Sequence, residues 1–336
     1  MAWQGIEGHD AIAARFAAAE AAGRVAGSYL FVGPPGVGKG SFARALALAL
    51  VCERPAAGLV ACRGCSSCVQ AVAGTHPDID LVEKPIDRAT IPLDLLIGSP
   101  DQRLREGLCW QLLLRPALAR RKVAILLDAD HLSEEAANCL LKTLEEPPPG
   151  AVIMLVGTSL QRQLPTIRSR CQTVRFGLLP AATIEQILSR ELQTQGSETS
   201  PGELAAAAAA AAGSLQRARL LLSEEVAVFR QQLIGLLERR PLPGVELSRE
   251  TLAVVEAAGK EAPLRRARLR IILEMALEFY RAGLRQAAAY RDPRLAVVET
   301  CLADTLEALA GIDRNANLGI LIDAWSARLE QAAAHR

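Results

Sequence analysis

The sequence has few aromatic residues and almost no net charge. Phe, Trp and Tyr make up 4% of its 336 residues, whereas 50% of the chain is hydrophobic, chiefly alanine and leucine. Such a composition favours helices. The formal net charge of +1 excludes a protein that holds nucleic acid through bulk positive charge. Any contact with DNA would therefore be local or shared with partner proteins.

Two kinds of targeting segment are also missing from the sequence. Residues Met1 to Glu7 show no basic region followed by an apolar run, so no secretory signal is predicted. No uncharged apolar stretch reaches the roughly 18 residues of a membrane helix. We therefore expect a cytoplasmic protein without membrane contact, in which disulfide bonds would be rare. A chain of this length exceeds one ordinary core and suggests two or three domains.

A phosphate-binding loop is predicted between an apolar strand, Tyr29–Val32, and a helical run, Phe42–Val51. Its glycines would let backbone N–H groups close on an anion at a helix N-terminus, and Lys39 would add a positive charge. A chance glycine-rich turn is the alternative interpretation. The residues of this candidate nucleotide site are Gly33, Pro34, Pro35, Gly36, Val37, Gly38, Lys39 and Gly40.

Two positions that ATPases use for metal binding and water activation carry other residues here. The position after the lysine is Gly40, where the loop motif has Ser or Thr to bind Mg²⁺. Ser41 is one residue late, which turns its side chain by about 100° around a helix. Asp128 ends an apolar strand and is a candidate Mg²⁺ carboxylate. A glutamate usually follows in such ATPases, but here Ala129 follows, with Asp130 as the nearest alternative carboxylate.

Four cysteines in one short segment predict a structural metal site. Two C-x-x-C steps share their middle cysteine, and the remaining cysteine lies upstream of them. Four thiolates suit tetrahedral Zn²⁺ and leave no open position for a substrate. A redox pair or free surface thiols are the alternatives. The predicted zinc ligands are Cys52, Cys62, Cys65 and Cys68.

Short apolar segments alternate with helical patterns in the first half of the chain. This alternation predicts a parallel sheet with helices on both faces. Gly74–Asp78 is predicted as a turn, and a helix over Leu93–Leu114 is predicted with an interruption at Gly98–Pro100. Beyond residue 180 no strand pattern is found. Strands are predicted at Tyr29–Val32, Ile79–Val82, Lys122–Leu127, Ala151–Val156 and Gln172–Phe176.

Two further segments, Asn138–Pro148 and Thr166–Cys171, resemble the bacterial DNA polymerase III clamp-loader subunits, which are AAA+ proteins. The resemblance extends over most of the chain. The altered nucleotide site makes the chain most similar to the delta-prime type rather than to the gamma/tau ATPases. That family has a zinc module of four cysteines at the same place, just after the helix of the phosphate loop.

The resemblance implies an α/β fold in which an AAA+ P-loop sheet is followed by a small helical lid and an all-α collar. The expected domains are residues 1–178, with the zinc module inserted at 52–68, a lid at 179–222, and an oligomerisation domain at 223–336. Zn²⁺ would be structural. The altered residues argue against Mg²⁺-dependent ATP hydrolysis by this chain and leave weak ATP binding by the loop open.

The resemblance also implies roles for single residues. In the family, an arginine at the position of Arg170 reaches ATP on the neighbouring subunit as an arginine finger; Arg168 is a weaker candidate. The alternative is that Arg170 merely pairs with a carboxylate. Thr158 resembles the family's sensor of the gamma-phosphate, although a turn at the end of a strand explains it equally well. The family's second sensor arginine aligns with Gln216, and Arg217 lies one residue further on.

The prediction is therefore a subunit that does not hydrolyse ATP but completes the site of its neighbour. The implied partners are the gamma/tau and delta subunits and, through the complex, the sliding clamp and primer-template DNA. One alternative is a gamma/tau-type subunit that hydrolyses ATP itself. Another is an AAA+ protein that acts on a different partner.

Overall fold

The computed structural model describes residues 2–85, 88, 90–103, 105–195, 199–290, 295–314 and 316–334. The chain divides into two compact units, Met1–Ala218 and Arg219–Arg336. The three-domain division expected from the sequence stays a prediction.

The first unit is built on a five-stranded sheet whose strand pairs are all parallel, in the order β2-β3-β4-β1-β5. Every residue of β1, β3 and β4 is buried, as expected for strands covered on both faces. The predicted parallel sheet is confirmed. The strands are β1 Ser28–Val32, β2 Ile79–Val82, β3 Lys122–Leu126, β4 Ala151–Gly157 and β5 Gln172–Arg175.

Helices cover both faces of this sheet. Short 3-10 helices also lie at Pro100–Gln102 and Ala129–His131. The α-helices that begin in this unit are α1 Asp10–Ala21, α2 Lys39–Val51, α3 Ser66–Val72, α4 Asp94–Ile97, α5 Leu108–Leu113, α6 Glu134–Glu145, α7 Pro165–Arg168, α8 Ala181–Gln195, α9 Pro201–Ala210 and α10 Leu215–Leu221.

The two faces of the sheet form separate apolar cores. On one face, Phe16 of α1 and Phe42 of α2 pack with Phe31 of β1. On the other, Leu140 of α6 belongs to the same cluster as Leu30 of β1. Neighbouring residues of β1 therefore enter opposite cores, which is the period of two that a strand imposes.

The interruption predicted inside Leu93–Leu114 is confirmed and is longer than expected. After α4 ends at Ile97, Gly98 adopts φ 85°, and the helix resumes as α5 only after Gly107, which adopts φ 86°. Side chains of L-residues rarely occupy this left-handed region, so glycine permits both breaks. A methyl group on Gly98 would also lie 2.7 Å from the carbonyl oxygen of Gln102.

The second unit is helical in all of its described elements. Trp325 is fully buried there, and its Nε1–H donates to Thr305 Oγ1 over 3.1 Å. None of the helices in the described ranges combines the length and the apolar character needed to cross a bilayer. The helices are α11 Glu224–Glu238, α12 Gly244–Ala257, α13 Ala262–Tyr290, α14 Leu295–Asp313 and α15 Leu318–Ala334.

Candidate functional site

The predicted nucleotide-site residues converge at the carboxyl ends of three neighbouring strands. The phosphate loop, Gly33–Gly40, follows β1, Asp128 follows β3, and Thr158 follows β4. The Gly33 N–H donates to the Thr158 carbonyl over 3.2 Å, which joins the start of the loop to the end of β4. Ligand sites of open α/β sheets lie at this edge. Gly38 precedes α2 with φ 97°, a conformation that favours glycine.

Lys39 forms its hydrogen bonds within its own loop. Its Nζ donates to the carbonyl oxygens of Gly33 and Pro34, each over 2.7 Å, and the residue is 7% exposed. Burial lowers the pKa of Lys39, while the nearby carboxylates of Asp130 and Asp128 counteract that shift. Two backbone carbonyls of the loop thus accept hydrogen bonds from the Lys39 ammonium group.

Residues just before and within α10 lie against the tip of the phosphate loop. The Gln216 N–H donates to the Gly36 carbonyl over 3.4 Å. A methyl group on Gly36 would overlap Ser214 Oγ and come within 2.8 Å of Gln216 Cβ. The structure therefore brings Gln216, the residue aligned with the family's second sensor, to the phosphate loop.

The three candidate positions that follow β3 and Leu127 have different environments. Asp128 is exposed, whereas Ala129 is 3% exposed and directs no polar group toward the loop. Asp130 accepts a hydrogen bond from the Thr158 N–H over 2.7 Å and another from Gln163 Nε2. Both carboxylate oxygens of Asp130 are thus used to join the ends of β3 and β4.

Arg170 lies just after α7 at the surface of the first unit. Its Nε donates to Glu145 Oε2 of α6 over 3.0 Å, and its Nη1 donates to the Thr166 carbonyl over 3.1 Å and to Ser169 Oγ over 3.3 Å. The arginine side chain is 29% exposed and that of Glu145 is 59% exposed. Such an exposed pair contributes only about 0–1 kcal/mol to stability. Replacing Glu145 by another anion as the partner of Arg170 would therefore cost little.

The four predicted zinc ligands lie together in the cysteine module, residues 52–68. Their sulfur atoms all lie within 4.8 Å of one another. Tetrahedral coordination with Zn–S bonds of about 2.3 Å places sulfur atoms about 3.8 Å apart. The Cys62 and Cys68 sulfurs are 4.0 Å apart. The geometry therefore fits four ligands that could hold one metal ion.

Hydrogen bonds to sulfur also organise the four cysteines. The Cys62 N–H donates to Cys52 Sγ over 3.3 Å, and the Cys68 N–H donates to Cys65 Sγ over 3.4 Å. Backbone N–H groups of Gly64 and then Cys65 lower the pKa of Cys62 to about 6. Burial raises the pKa values of Cys52 and Cys68, so a bound cation would be needed to hold those sulfurs as thiolates.

Sequence analysis missed the role of Asp78, which it placed in a turn. This carboxylate is fully buried and accepts hydrogen bonds from the N–H groups of Ala117, Leu118 and Ala119, over 2.6, 2.8 and 2.8 Å. His76 Nδ1 accepts the Asp78 N–H over 3.0 Å. Asp78 thus fixes the loop that leads into β3. No local pattern reveals this, because about forty residues separate the carboxylate from its donors.

The chain was also compared with families of known proteins. A model of the family described as "DNA polymerase III, delta subunit" matches residues 8–179, about half of the chain. The chain belongs to this DNA polymerase III subunit family. The parallel sheet covered by helices and the helical second unit confirm the predicted α/β fold followed by a helical region.

Individual members of the polymerase III family agree. The chain is 35% identical over 210 residues to the delta-prime subunit of Pseudomonas aeruginosa, covering 62% of this chain and 59% of that one. It is 35% identical over 193 residues to the gamma/tau subunit of Mycobacterium bovis, covering 57% and 31%. It is 33% identical over 171 residues to the Escherichia coli delta-prime subunit, covering 51% and 48%. These alignments span less than two thirds of each relative.

Solved structures show only a weak likeness. A gamma-subunit-related protein of Thermotoga maritima is 17% identical with a TM-score of 0.42, covering 96% of this chain and 99% of that one. The RuvB protein of the same organism is 16% identical with a TM-score of 0.42, covering 97% and 87%. The family assignment does not depend on either.

Proposed function

We propose that this chain is a delta-prime-type subunit of the DNA polymerase III clamp loader. In this proposal it does not hydrolyse ATP itself. It supplies Arg170 to ATP bound by a neighbouring gamma/tau subunit, where the guanidinium would neutralise charge that develops on the gamma-phosphate. Arginine fingers of this kind raise rates by about 10³ to 10⁵ in well-studied GTPases.

The main support is the state of the chain's own nucleotide site. Gly40, Ala129 and Gln216 stand where an ATPase has a metal ligand, a water-activating carboxylate and a phosphate-sensing arginine. They lie around a loop whose Lys39 bonds to its own carbonyls. A Cβ at Gly40 would meet Leu127 Cδ2 at 3.5 Å, an ordinary contact. Packing therefore does not require a glycine there, and the missing hydroxyl supports a loop that does not bind Mg²⁺.

The position of Arg170 supports the second half of the proposal. A guanidinium that reaches a neighbour's ATP must lie at the surface and must leave its own partner cheaply. Arg170 meets both requirements, because it is partly exposed and its ion pair is with the exposed Glu145. The Glu145 pair keeps the guanidinium ordered until a more negative phosphate competes for it.

The remaining parts of the proposal concern partners and metal. The partners would be the gamma/tau and delta subunits, and the sliding clamp and primer-template DNA would be reached through the assembled complex. The cysteine module would hold Zn²⁺ with four protein ligands, which leaves no position for a substrate. A metal there would stabilise the fold rather than take part in catalysis.

The decisive experiment reconstitutes the clamp loader with Arg170→Ala. We expect assembly to be preserved, while DNA-stimulated ATP hydrolysis and clamp loading fall by at least about tenfold, a threshold well below the 10³ to 10⁵ that arginine fingers contribute in GTPases. Arg168→Ala is the matched control, since it removes the same charge at the end of α7. Unchanged ATP hydrolysis with Arg170→Ala, or an equal loss with Arg168→Ala, would remove the finger assignment.

A gamma/tau-type subunit that hydrolyses ATP is the second candidate. The 35% identity to the Mycobacterium bovis gamma/tau subunit favours it. This candidate requires the purified chain to release phosphate from ATP, and to stop doing so when Lys39 is changed to alanine. The delta-prime proposal requires no turnover in either case.

A further inference from the structure

The segment Trp3–His9, called here the N-terminal strap, contacts both the cysteine module and the phosphate loop. The strap begins with a tight turn in which the Ile6 N–H donates to the Trp3 carbonyl over 2.8 Å. Gln4 and Gly5 adopt φ values of 53° and 87° in this turn. Gly5 adopts this conformation readily, whereas the side chain of Gln4 makes it sterically unfavourable there.

One set of strap contacts reaches the cysteine module. Trp3 Nε1–H donates to the Gly58 carbonyl over 3.1 Å, and Gln4 Oε1 accepts the Ala61 N–H over 3.2 Å. Arg63 Nη2 also donates to the Gln4 carbonyl over 2.8 Å. Gly58 and Ala61 lie between the first two candidate metal ligands, so their positions depend on the fold of the module.

A second set of strap contacts reaches the phosphate loop and the helix that follows it. Gln4 Nε2 donates to the Ala45 carbonyl in α2 over 3.0 Å. His9 Nε2 donates to the Val37 carbonyl of the phosphate loop over 2.8 Å. His9 is 6% exposed, and its ring meets Phe176 edge-on with centroids 4.8 Å apart. A carbonyl only accepts hydrogen bonds, so Nε2 carries the proton.

The cysteine module has only a small apolar cluster around its sulfur atoms. This cluster contains Leu48 of α2, Ala61 and three of the four candidate ligands, while Leu59 of the module packs into the core of the first unit. Metal bound by such a module adds its binding free energy to the folding free energy of the residues around the ligands. A metal ion at the four cysteines would therefore fix the carbonyl of Gly58 and the N–H of Ala61, to which the strap is bonded.

We propose that Trp3, Gln4 and His9 are positioning residues through which metal bound at the cysteine module fixes the conformation of the phosphate loop. Bound metal would fix the Gly58 carbonyl and the Ala61 N–H, to which Trp3 and Gln4 are bonded. The strap is thereby held in place, and His9 at its end fixes the Val37 carbonyl of the phosphate loop. The loop then keeps its conformation and its contact with Gln216.

A competing route runs through α2, which joins Lys39 directly to the residue before Cys52. Metal removal could disturb the loop along this helix without involving the strap. Variants that cut the strap and leave α2 intact separate the two routes. Trp3→Phe with Gln4→Met keeps the aromatic ring and the side-chain length but removes the bonds to Gly58, Ala61 and Ala45.

The test is residue-resolved amide hydrogen exchange in the full chain, with metal bound and after chelation. The reporters are the N–H groups of Phe42, bonded to Gly38, and of Gln216, bonded to Gly36. In the unmodified chain, chelation should speed exchange at both about fivefold to tenfold, the effect of losing one or two modest hydrogen bonds. In the Trp3→Phe/Gln4→Met chain, exchange should already be that fast with metal bound, and chelation should add less than twofold.

Two matched comparisons sharpen the result. Gln193→Met makes the same chemical change on the exposed face of α8 and should behave as the unmodified chain. His9→Phe keeps an aromatic ring but loses the donor, so it should speed exchange at both reporters. His9→Gln retains an N–H donor and should restore most of the protection.

The inference is wrong if chelation leaves both reporters unchanged, or if the strap variant responds to chelation as fully as the unmodified chain. If chelation unfolds the whole first unit, the test is the exchange rate of the variants with metal bound. Slow exchange at both reporters in the metal-bound Trp3→Phe/Gln4→Met chain would then contradict the inference. None of these readouts depends on ATP hydrolysis or on the role proposed for Arg170.

Discussion

Asp78 shows how one buried carboxylate organises a loop that is distant in sequence. Burial alone would raise the pKa of Asp78, but the N–H groups of Ala119, Ala117 and Leu118 outweigh it, and the pKa lies below its usual value. The charged form is therefore favoured by folding. Two carboxylate oxygens thus satisfy three backbone donors of one loop.

Asp78→Asn should destabilise the first unit by about 2–4 kcal/mol at pH 7, because an amide offers one acceptor oxygen and places an NH₂ group against N–H donors. The free energy of unfolding in urea measures this. Asp101→Asn, at an exposed position in a short 3-10 helix, is the control and should change stability by less than about 0.5 kcal/mol. Equal effects of the two substitutions would contradict the role of Asp78.

The same residue predicts a pH dependence. Because its folded pKa is depressed, the unfolded state binds the proton first, and the stability that Asp78 contributes is fully present above the unfolded pKa of about 3.9. It is lost as pH falls through the lower, folded value. The difference between the unmodified chain and Asp78→Asn should therefore shrink below about pH 4. If this difference in the free energy of unfolding stays constant from pH 7 to pH 3, the shape of the Asp78 side chain and not its charge stabilises the loop.

At the scale of elements, the strands could be predicted from the sequence and the contacts between distant segments could not. Buried parallel strands are continuous apolar runs, so β1, β3 and β4 can be predicted from their local sequence. The four cysteines can be recognised as candidate metal ligands because such ligands have characteristic spacings in sequence. The bonds from His9 to Val37 and from Gln216 to Gly36 join residues far apart in sequence, and their residue types carry no local signal.

The contact between the phosphate loop and α10 can be tested by substituting two glycines of the loop. Gly36→Ala should weaken the contact, because a methyl group at φ 76° overlaps Ser214 Oγ. We expect a loss of about 1–3 kcal/mol in stability and at least fivefold faster exchange of the Gln216 amide. Gly40→Ala is the matched control: its Cβ has ordinary space inside α2, and alanine should stabilise that helix by up to about 1 kcal/mol. Equal responses would mean that the loop and α10 are not in contact.

At the scale of the whole chain, membership of a polymerase III family fixes the fold more firmly than the activity. The family model covers residues 8–179, and the alignments with delta-prime and gamma/tau relatives are equally strong in identity. The two kinds of subunit therefore have to be separated by the residues of the nucleotide site, where Gly40 offers no hydroxyl and Ala129 no carboxylate.

Nucleotide binding can be measured on the intact chain through its thermal stability. A ligand that binds the folded state at a hundred times its dissociation constant stabilises a protein by about 2.7 kcal/mol, which raises the melting temperature of a chain this size by several degrees. We expect millimolar ATP with Mg²⁺ to leave the melting temperature of this chain unchanged, because binding must displace Lys39 from two carbonyls without gaining a metal ligand at position 40. Magnesium alone is the control. A rise of several degrees that Lys39→Met abolishes would show a working nucleotide site and would favour the gamma/tau-type interpretation.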